Sequence, residues 1–242
     1  MKKLILATLM LTVAFTAFAQ SKINESYVLK NENKVAIRFE YPSLVKIHTW
    51  DKKEVKVEAT IDIDGGNQEE EFKIKGSSDR GTFYLRSKLT GLSKRNNYRF
   101  SSEADEAEEN VKIKENGRTI IIDKDKTHYQ GVEIDIVVDV YVPANMEVDV
   151  NAKFGMVEVL NLPQSLQVDS EFGGIDVTLN AKEIKELDAS TSWGQIYTNI
   201  DKDMRMRGDG GLGSELRASL NSSGSKKLYL DSKFGNVYLR KD

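Results

Sequence analysis

One short pattern returns five times over about the last hundred residues, and a chain that repeats itself at this period is confined to few shapes. The core of the pattern reads apolar-x-apolar-x-small-x-aromatic-Gly, with two further apolar positions soon after. Its clearest copies are Leu166-Gln-Val-Asp-Ser-Glu-Phe172-Gly173, followed by Ile175 and Val177, and Leu228-Tyr-Leu-Asp-Ser-Lys-Phe234-Gly235, followed by Val237 and Leu239. With the aromatic as reference, the copies centre on Phe154, Phe172, Trp193, Leu212 and Phe234, at spacings of 18, 21, 19 and 22 residues. Such periods belong to arrays of stacked units.

The inward positions follow from the copies. Six before the reference lie Val148, Leu166, Leu187, Met206 and Leu228, and a small residue stands two before it in every copy. After the glycine the inward phase shifts by one, to Val157, Ile175, Ile196 and Val237. Glycine suits a strand that turns a corner or bulges there. The fourth copy breaks phase, because Glu215 and Arg217 take the inward slots unless one residue is inserted, which restores Leu216 and Ala218. A single copy cannot bury its one apolar face. Five copies stacked at about 4.8 Å would bury a continuous column about 24 Å long. The expectation is an all-β chain: a right-handed β-solenoid-like stack of about 20-residue repeats over 146–242, with the aromatics as its central ladder and neighbours in space following neighbours in sequence. An antiparallel sandwich of the same strands is the alternative.

Residues 20–145 read as an irregular antiparallel β region that runs into the repeats. Val35 to Phe39, Val45 to Ile47 and Val55 to Ile63 alternate apolar with polar residues, the signature of half-buried strands. Val132 to Val142 is the longest such run. Asn116-Gly117 between Val111-Lys-Ile113 and Ile120-Ile-Ile122 marks a hairpin. Residues 92–110 start basic and end acidic with few core anchors, so they read as a solvated loop inserted between strands.

Residues 1–19 have the form of a secretory signal peptide: Lys2-Lys3, an apolar stretch from Leu4 to Phe18, then Ala17-Phe-Ala19 before Gln20. Cleavage there removes two lysines and no acid and moves the formal charge from −3 to −5. That balance opposes a nucleic-acid partner, which needs a positive surface. The chain has no cysteine, so disulfides and a lipidated N-terminal cysteine are excluded. Periplasm or cell surface is the expected location.

The repeated small-x-Phe-Gly-x-apolar-x-apolar units, together with Ile134-Asp-Ile-Val-Val-Asp-Val-Tyr-Val-Pro143 and more loosely Val45-Lys-Ile-His-Thr-Trp50, resemble the putative adhesin family of bacteria. These are exported β-strand-repeat proteins. The resemblance is close over 132–242 and weaker before. It implies a β-solenoid fold and an envelope location, and it carries no catalytic residues over. The insertion at 92–110 and the irregular fourth copy depart from the pattern.

The residues themselves show no catalytic constellation. The two histidines, His48 and His128, stand apart, thiol chemistry is impossible, and no serine lies in a Gly-x-Ser-x-Gly elbow. Asp62-Ile-Asp-Gly-Gly-Asn67 reads as a hairpin turn rather than a calcium loop, since the closing acid is missing. Gly208 to Gly213 reads as a corner rather than a phosphate cradle. An outward column three before the reference, Asn151, Asp169, Ser190, Asp209 and Asp231, offers Asp169, Asp209 and Asp231 as cation candidates, with Asp209 and Asp231 as neighbours. Tyr197, Tyr229 and Tyr238 are candidate contact residues. No cofactor is implied. The sequence therefore points to a non-enzymatic adhesion or interaction module for an envelope protein or glycan, the alternative being a structural envelope component without a ligand. The last strand, with only Arg-Lys-Asp after Val237-Tyr-Leu239, is expected to leave an edge open to end-to-end self-association.

Overall fold

The computed structural model describes residues 21–63, 71–90, 99–102, 111–115, 118–123, 126–130, 134–202, 204–207 and 213–242. The chain is all-β among these residues. The signal segment, most of 92–110, Asp209 and Leu212 lie outside them.

Twenty-one strands form two large mixed sheets, neither of them closed, and one small one. The first sheet takes β1 (Ser21–Val28), β3 (Leu44–Trp50), β4 (Glu54–Ile63), β11 (Ile134–Pro143), β13 (Met156–Val159), β15 (Ile175–Leu179), β17 (Ile196–Thr198) and β21 (Val237–Lys241). The second takes β2 (Lys34–Phe39), β5 (Phe72–Asp79), β6 (Thr82–Leu89), β12 (Glu147–Phe154), β14 (Ser165–Phe172), β16 (Ile184–Thr191), β18 (Arg205–Arg207), β19 (Ser214–Ala218) and β20 (Lys226–Ser232). The third holds β7 (Arg99–Ser102), β8 (Val111–Glu115), β9 (Arg118–Asp123) and β10 (Lys126–Gln130).

Period-two alternation decides which side chains meet. The inner faces of both large sheets contribute to one apolar cluster, in which Val148, Leu166 and Leu228 from the second sheet and Val157, Ile175 and Val237 from the first are fully buried. In the second sheet β2, β12, β14, β20 and β16 lie side by side and parallel; in the first β3, β13, β15, β21 and β17 do the same. Each of five chain segments thus gives one strand to each sheet, in the same spatial order.

That order is not the order of the sequence. The last segment, β20 with β21, sits between β14/β15 and β16/β17. Both edges of β21 are therefore paired, with β15 and β17, so the open edge expected of the C-terminal strand does not exist. The out-of-phase fourth copy makes no parallel pair. Its β19 runs antiparallel to β16, with Leu216 buried opposite Ala189, and β18 pairs antiparallel outside it. The glycine-rich stretch between β18 and β19 accordingly joins an antiparallel pair, not two stacked units. The fifth segment is one that the repeat pattern hides, β2 and β3, where Tyr41 aligns with Phe154 and Pro42 follows instead of glycine.

The region before residue 145 is neither wholly antiparallel nor apart from the repeats. β1–β4, β4–β11 and β5–β6 are antiparallel, whereas β2–β6 and β3–β11 are parallel. β4 and β5 belong to different sheets, so the segment from Asp62 to Asn67 leads from one sheet towards the other and forms no hairpin. β8 and β9 do pair as a hairpin, with Glu115 opposite Arg118. Within the expected loop, Arg99–Ser102 is a strand paired with β10; its four residues are too few to show a period amid the surrounding charge.

The corner between the two sheets explains the invariant glycine of the pattern. A Cβ on Gly173 would lie 1.6 Å from the Gly155 carbonyl oxygen, one on Gly235 2.2 Å from that of Gly173, and one on Gly194 2.1 Å from that of Gly235. Only Gly155 of these has a positive φ, of 79°. The requirement is thus space between backbones more than backbone freedom. The buried small residues serve the same corner: Ser170 and Ser232 each donate a hydroxyl hydrogen bond of 2.9 Å to the Gly173 carbonyl, and Thr191 one of 2.7 Å to that of Gly235. Gly173→Ala should therefore lower the unfolding free energy by about 2–4 kcal/mol, since backbone cannot yield as a flexible side chain does. Ser232→Ala should cost about 1–3 kcal/mol by leaving a buried carbonyl one donor short. Urea unfolding monitored by circular dichroism checks both.

Candidate functional site

The aromatic residues of the pattern stand in register, but on the outside. Tyr41, Phe154, Phe172, Phe234 and Trp193 form one stack along the corner, with ring centroids 6.1, 5.4, 5.1 and 6.3 Å apart and interplanar angles of 29°, 16°, 3° and 20°. The spacing is that of neighbouring strands, about 4.8 Å, loosened by tilt. Phe154, Phe172, Phe234 and Trp193 are 39%, 49%, 44% and 55% exposed. The expected interior ladder is corrected here. Inward parity ends at the small residue two before the ring, and the close glycine contacts at the corner leave no room for a ring inside.

Because the rings cover one another's faces, the column offers mainly ring edges to solvent. Lys153 lies 5.5 Å from the Phe154 centroid and Lys233 5.3 Å from that of Phe234, both at cation–π distance. Stacked pairs of this kind contribute about 0.5–1.5 kcal/mol each beyond area burial. The column remains the most continuous apolar feature on the described surface.

The three candidate tyrosines do not form one patch. Tyr197 and Tyr238 stack at 5.3 Å and 14° on the outer face of the first sheet. Asn236 donates to the Tyr238 hydroxyl at 3.1 Å, and Arg240, held by Asp176 at 2.7 and 2.8 Å, lies 5.6 Å from the ring. Tyr229 belongs to the second sheet, between Gln167 and Asp188, and a hydrogen bond with Glu186 holds its hydroxyl above the usual tyrosine range. A further cluster went unread in the sequence. His48 and Tyr141 stack at 4.5 Å and 14°, Trp50 packs 5.4 Å from Tyr141, and Lys52 lies 4.6 Å over Trp50. The alternation of His48 and Trp50 on one strand was visible, but not that Tyr141 would lie beside them. His48 Nε2 shares a 2.7 Å hydrogen bond with Asp139, which fixes the ring.

Asp169 and Asp231 are direct neighbours on β14 and β20, and Ser190, not Asp209, follows Asp231. Ser190 donates to Asp231 at 2.5 Å and Gln167 to Asp169 at 3.1 Å. Among the described residues no group of three or more acidic or histidine side chains is arranged to hold a metal ion. Burial, with Asp149 and Asp231 adding like charge, pushes the Asp169 carboxyl above its usual range. A carboxyl raised on folding favours the folded state at low pH and works against it once ionised, so stability falls as pH rises through the folded value. Asp169→Asn should raise the melting temperature at about pH 7 and leave it unchanged near pH 3, where the unfolded carboxyl is also protonated. Thermal melts of both proteins across that range check the sign.

No family model matches the chain, and no curated protein sequence does. Two solved structures are similar in shape. A putative cell adhesion protein from Clostridium sporogenes aligns at TM-score 0.46 and 12% identity over 92% of this chain and 100% of its own. A putative adhesin from Bacteroides fragilis aligns at TM-score 0.29 and 12% identity over 93% of this chain and 99% of its own.

Proposed function

We propose that the chain is an exported, non-enzymatic module of the cell envelope whose five paired segments act as a solenoid-like stack displaying the aromatic column to a protein partner. The observation that carries this reading is the five-ring stack in register on the surface, where core packing does not require it. Contiguous exposed apolar surface of this kind marks interaction sites. Rigid aromatic side chains lose little conformational freedom on contact. A glycan would stack on ring faces, which the column uses on itself. The edges suit protein side chains and carbonyl acceptors better. Export rests on Lys2-Lys3 and Ala17-Phe-Ala19, with periplasm or surface as the destination. The absence of thiols and the use of His48 in a packed pair with Asp139 support a role without catalysis.

The mutual covering of ring faces also favours a second reading, a structural envelope component in which the column only braces the corner. The two part in experiment. A photo-crosslinking residue at Phe172 should capture a discrete neighbour in intact cells, while the same residue at Thr178 on the first sheet should not. Phe172→Ala with Phe234→Ala should abolish that capture, read from a crosslinker at Phe154, while costing no more than about 3 kcal/mol in stability. Loss of stability with no capture at any position selects the bracing role.

A further inference from the structure

One row across the outer face of the second sheet is polarised by charge. From β5 inward, its successive partners are Lys75, Arg86, Arg38, Asn151, Asp169 and Asp231, with Ser190 next. Three cations stand on one side of Asn151, and two carboxylates and a hydroxyl on the other. Lys75 is directly opposite Arg86, and in the next row Lys73 is opposite Lys88, although like charges facing across strands repel. Lysines on an edge strand deter stray strand pairing, which accounts for β5. That explanation does not reach Arg86 and Arg38, which lie on inner strands. Arg86 rests over the Tyr84 ring at 4.3 Å and donates to Ser77 Oγ, and no acid stands in the row on that side.

The two halves of the row are complementary about their midpoint. With strands about 4.8 Å apart, Arg38 and Asp169 lie equally far from Asn151 on opposite sides, and so do Arg86 and Asp231. We propose that this face docks against the same face of a second copy of the chain, the copies related by a two-fold axis that runs along the strands through Asn151. Arg38 of each copy then faces Asp169 of the other, and Arg86 faces Asp231. This is the self-complementary contact that two-fold symmetry demands. An axis running along the row would set cations over cations and is excluded. The carboxylates nearest the axis are already balanced within each copy, Asp149 by Arg38 at 2.8 Å and Glu147 by Lys34 at 2.8 Å. Six strand spacings by five or six residues give a contact of about 500 Å² per copy, at the low end for a specific interface. The dimer is therefore reversible and, being held by exposed charge, sensitive to salt.

Sedimentation velocity on the full chain tests this without touching the aromatic column. Dimers are expected at about 0.05 M salt and monomers at about 0.5 M, with no variant needed. Arg86→Glu with Lys75→Glu, and separately Asp169→Lys with Asp231→Lys, should each raise the dissociation constant at least about tenfold, a loss of about 1.4 kcal/mol. An equal mixture of the two variants should dimerise again, since one presents an all-acidic row and the other an all-basic row. Melting curves establish that each variant is folded. A native chain monomeric at every salt concentration overturns the proposal, as does a mixture that stays monomeric. Salt-dependent retention of a monomeric native chain on heparin would assign the basic half to a polyanion instead, and would equally overturn self-docking.

Discussion

Everything in this structure depends on how closely the backbone of one segment approaches the next at the corner between the sheets. The Gly155 carbonyl occupies the place that a Gly173 side chain would need, the Gly173 carbonyl that of Gly235, and the Gly235 carbonyl that of Gly194. Such an approach buries carbonyl oxygens away from water, and buried acceptors need donors. The hydroxyls of Ser170, Ser232 and Thr191 supply them, and the Gly235 N–H in turn donates to Ser232 Oγ at 3.0 Å. Small polar residues are thus required just inside the corner, glycine at it, and large residues outside it. The recurring small-x-aromatic-Gly unit is the chemical trace of that one contact.

The same contact helps to explain why the last segment sits out of sequence. β20 with β21 brings Ser232, Phe234 and Gly235 and has apolar residues in phase at Val237 and Leu239, so it matches the corner on both sides. Asn236 adds a link to each neighbour: its backbone carbonyl accepts from Ile175 N–H at 2.9 Å and its side chain from Gln195 N–H at 2.9 Å. The copy around Leu212 has Glu215 and Arg217 where inward residues belong. It reverses direction and closes the row as β19, with Leu216 inward and Arg217 at 3.1 Å from Asp188 outside. A unit that cannot continue a parallel row on one face can still cover its edge.

The sequence was most legible where a single period governs the side chains. Val148, Leu166 and Leu228, and after the phase shift Val157, Ile175 and Val237, are buried as the alternation implies. Counting by twos fails at Phe154, Phe172 and Phe234, because parity presumes an unbroken strand and the chain turns at the next residue. Spatial order was not legible, since a repeat records likeness between units and not which unit lies beside which. The segment carrying Tyr41 was hidden by Pro42 in the glycine position, and the Trp50–Tyr141–His48 cluster by the long separation of its strands in sequence. The adjacency of Asp169 and Asp231 follows from the strand order alone, so an acidic column read in sequence order paired the wrong carboxylates.

The aromatic column can be both brace and display. Four stacked contacts at about 0.5–1.5 kcal/mol each amount to a sizeable part of the 5–15 kcal/mol that typically separates folded from unfolded domains. A ring held between two others has already lost the freedom that a lone exposed Phe would surrender on binding. Stacking that stabilises the corner therefore also lowers the entropic cost of contact at the ring edges. The faces are committed to the fold and the edges are left over, so selection for a tighter stack would sharpen the surface offered to a partner instead of competing with it.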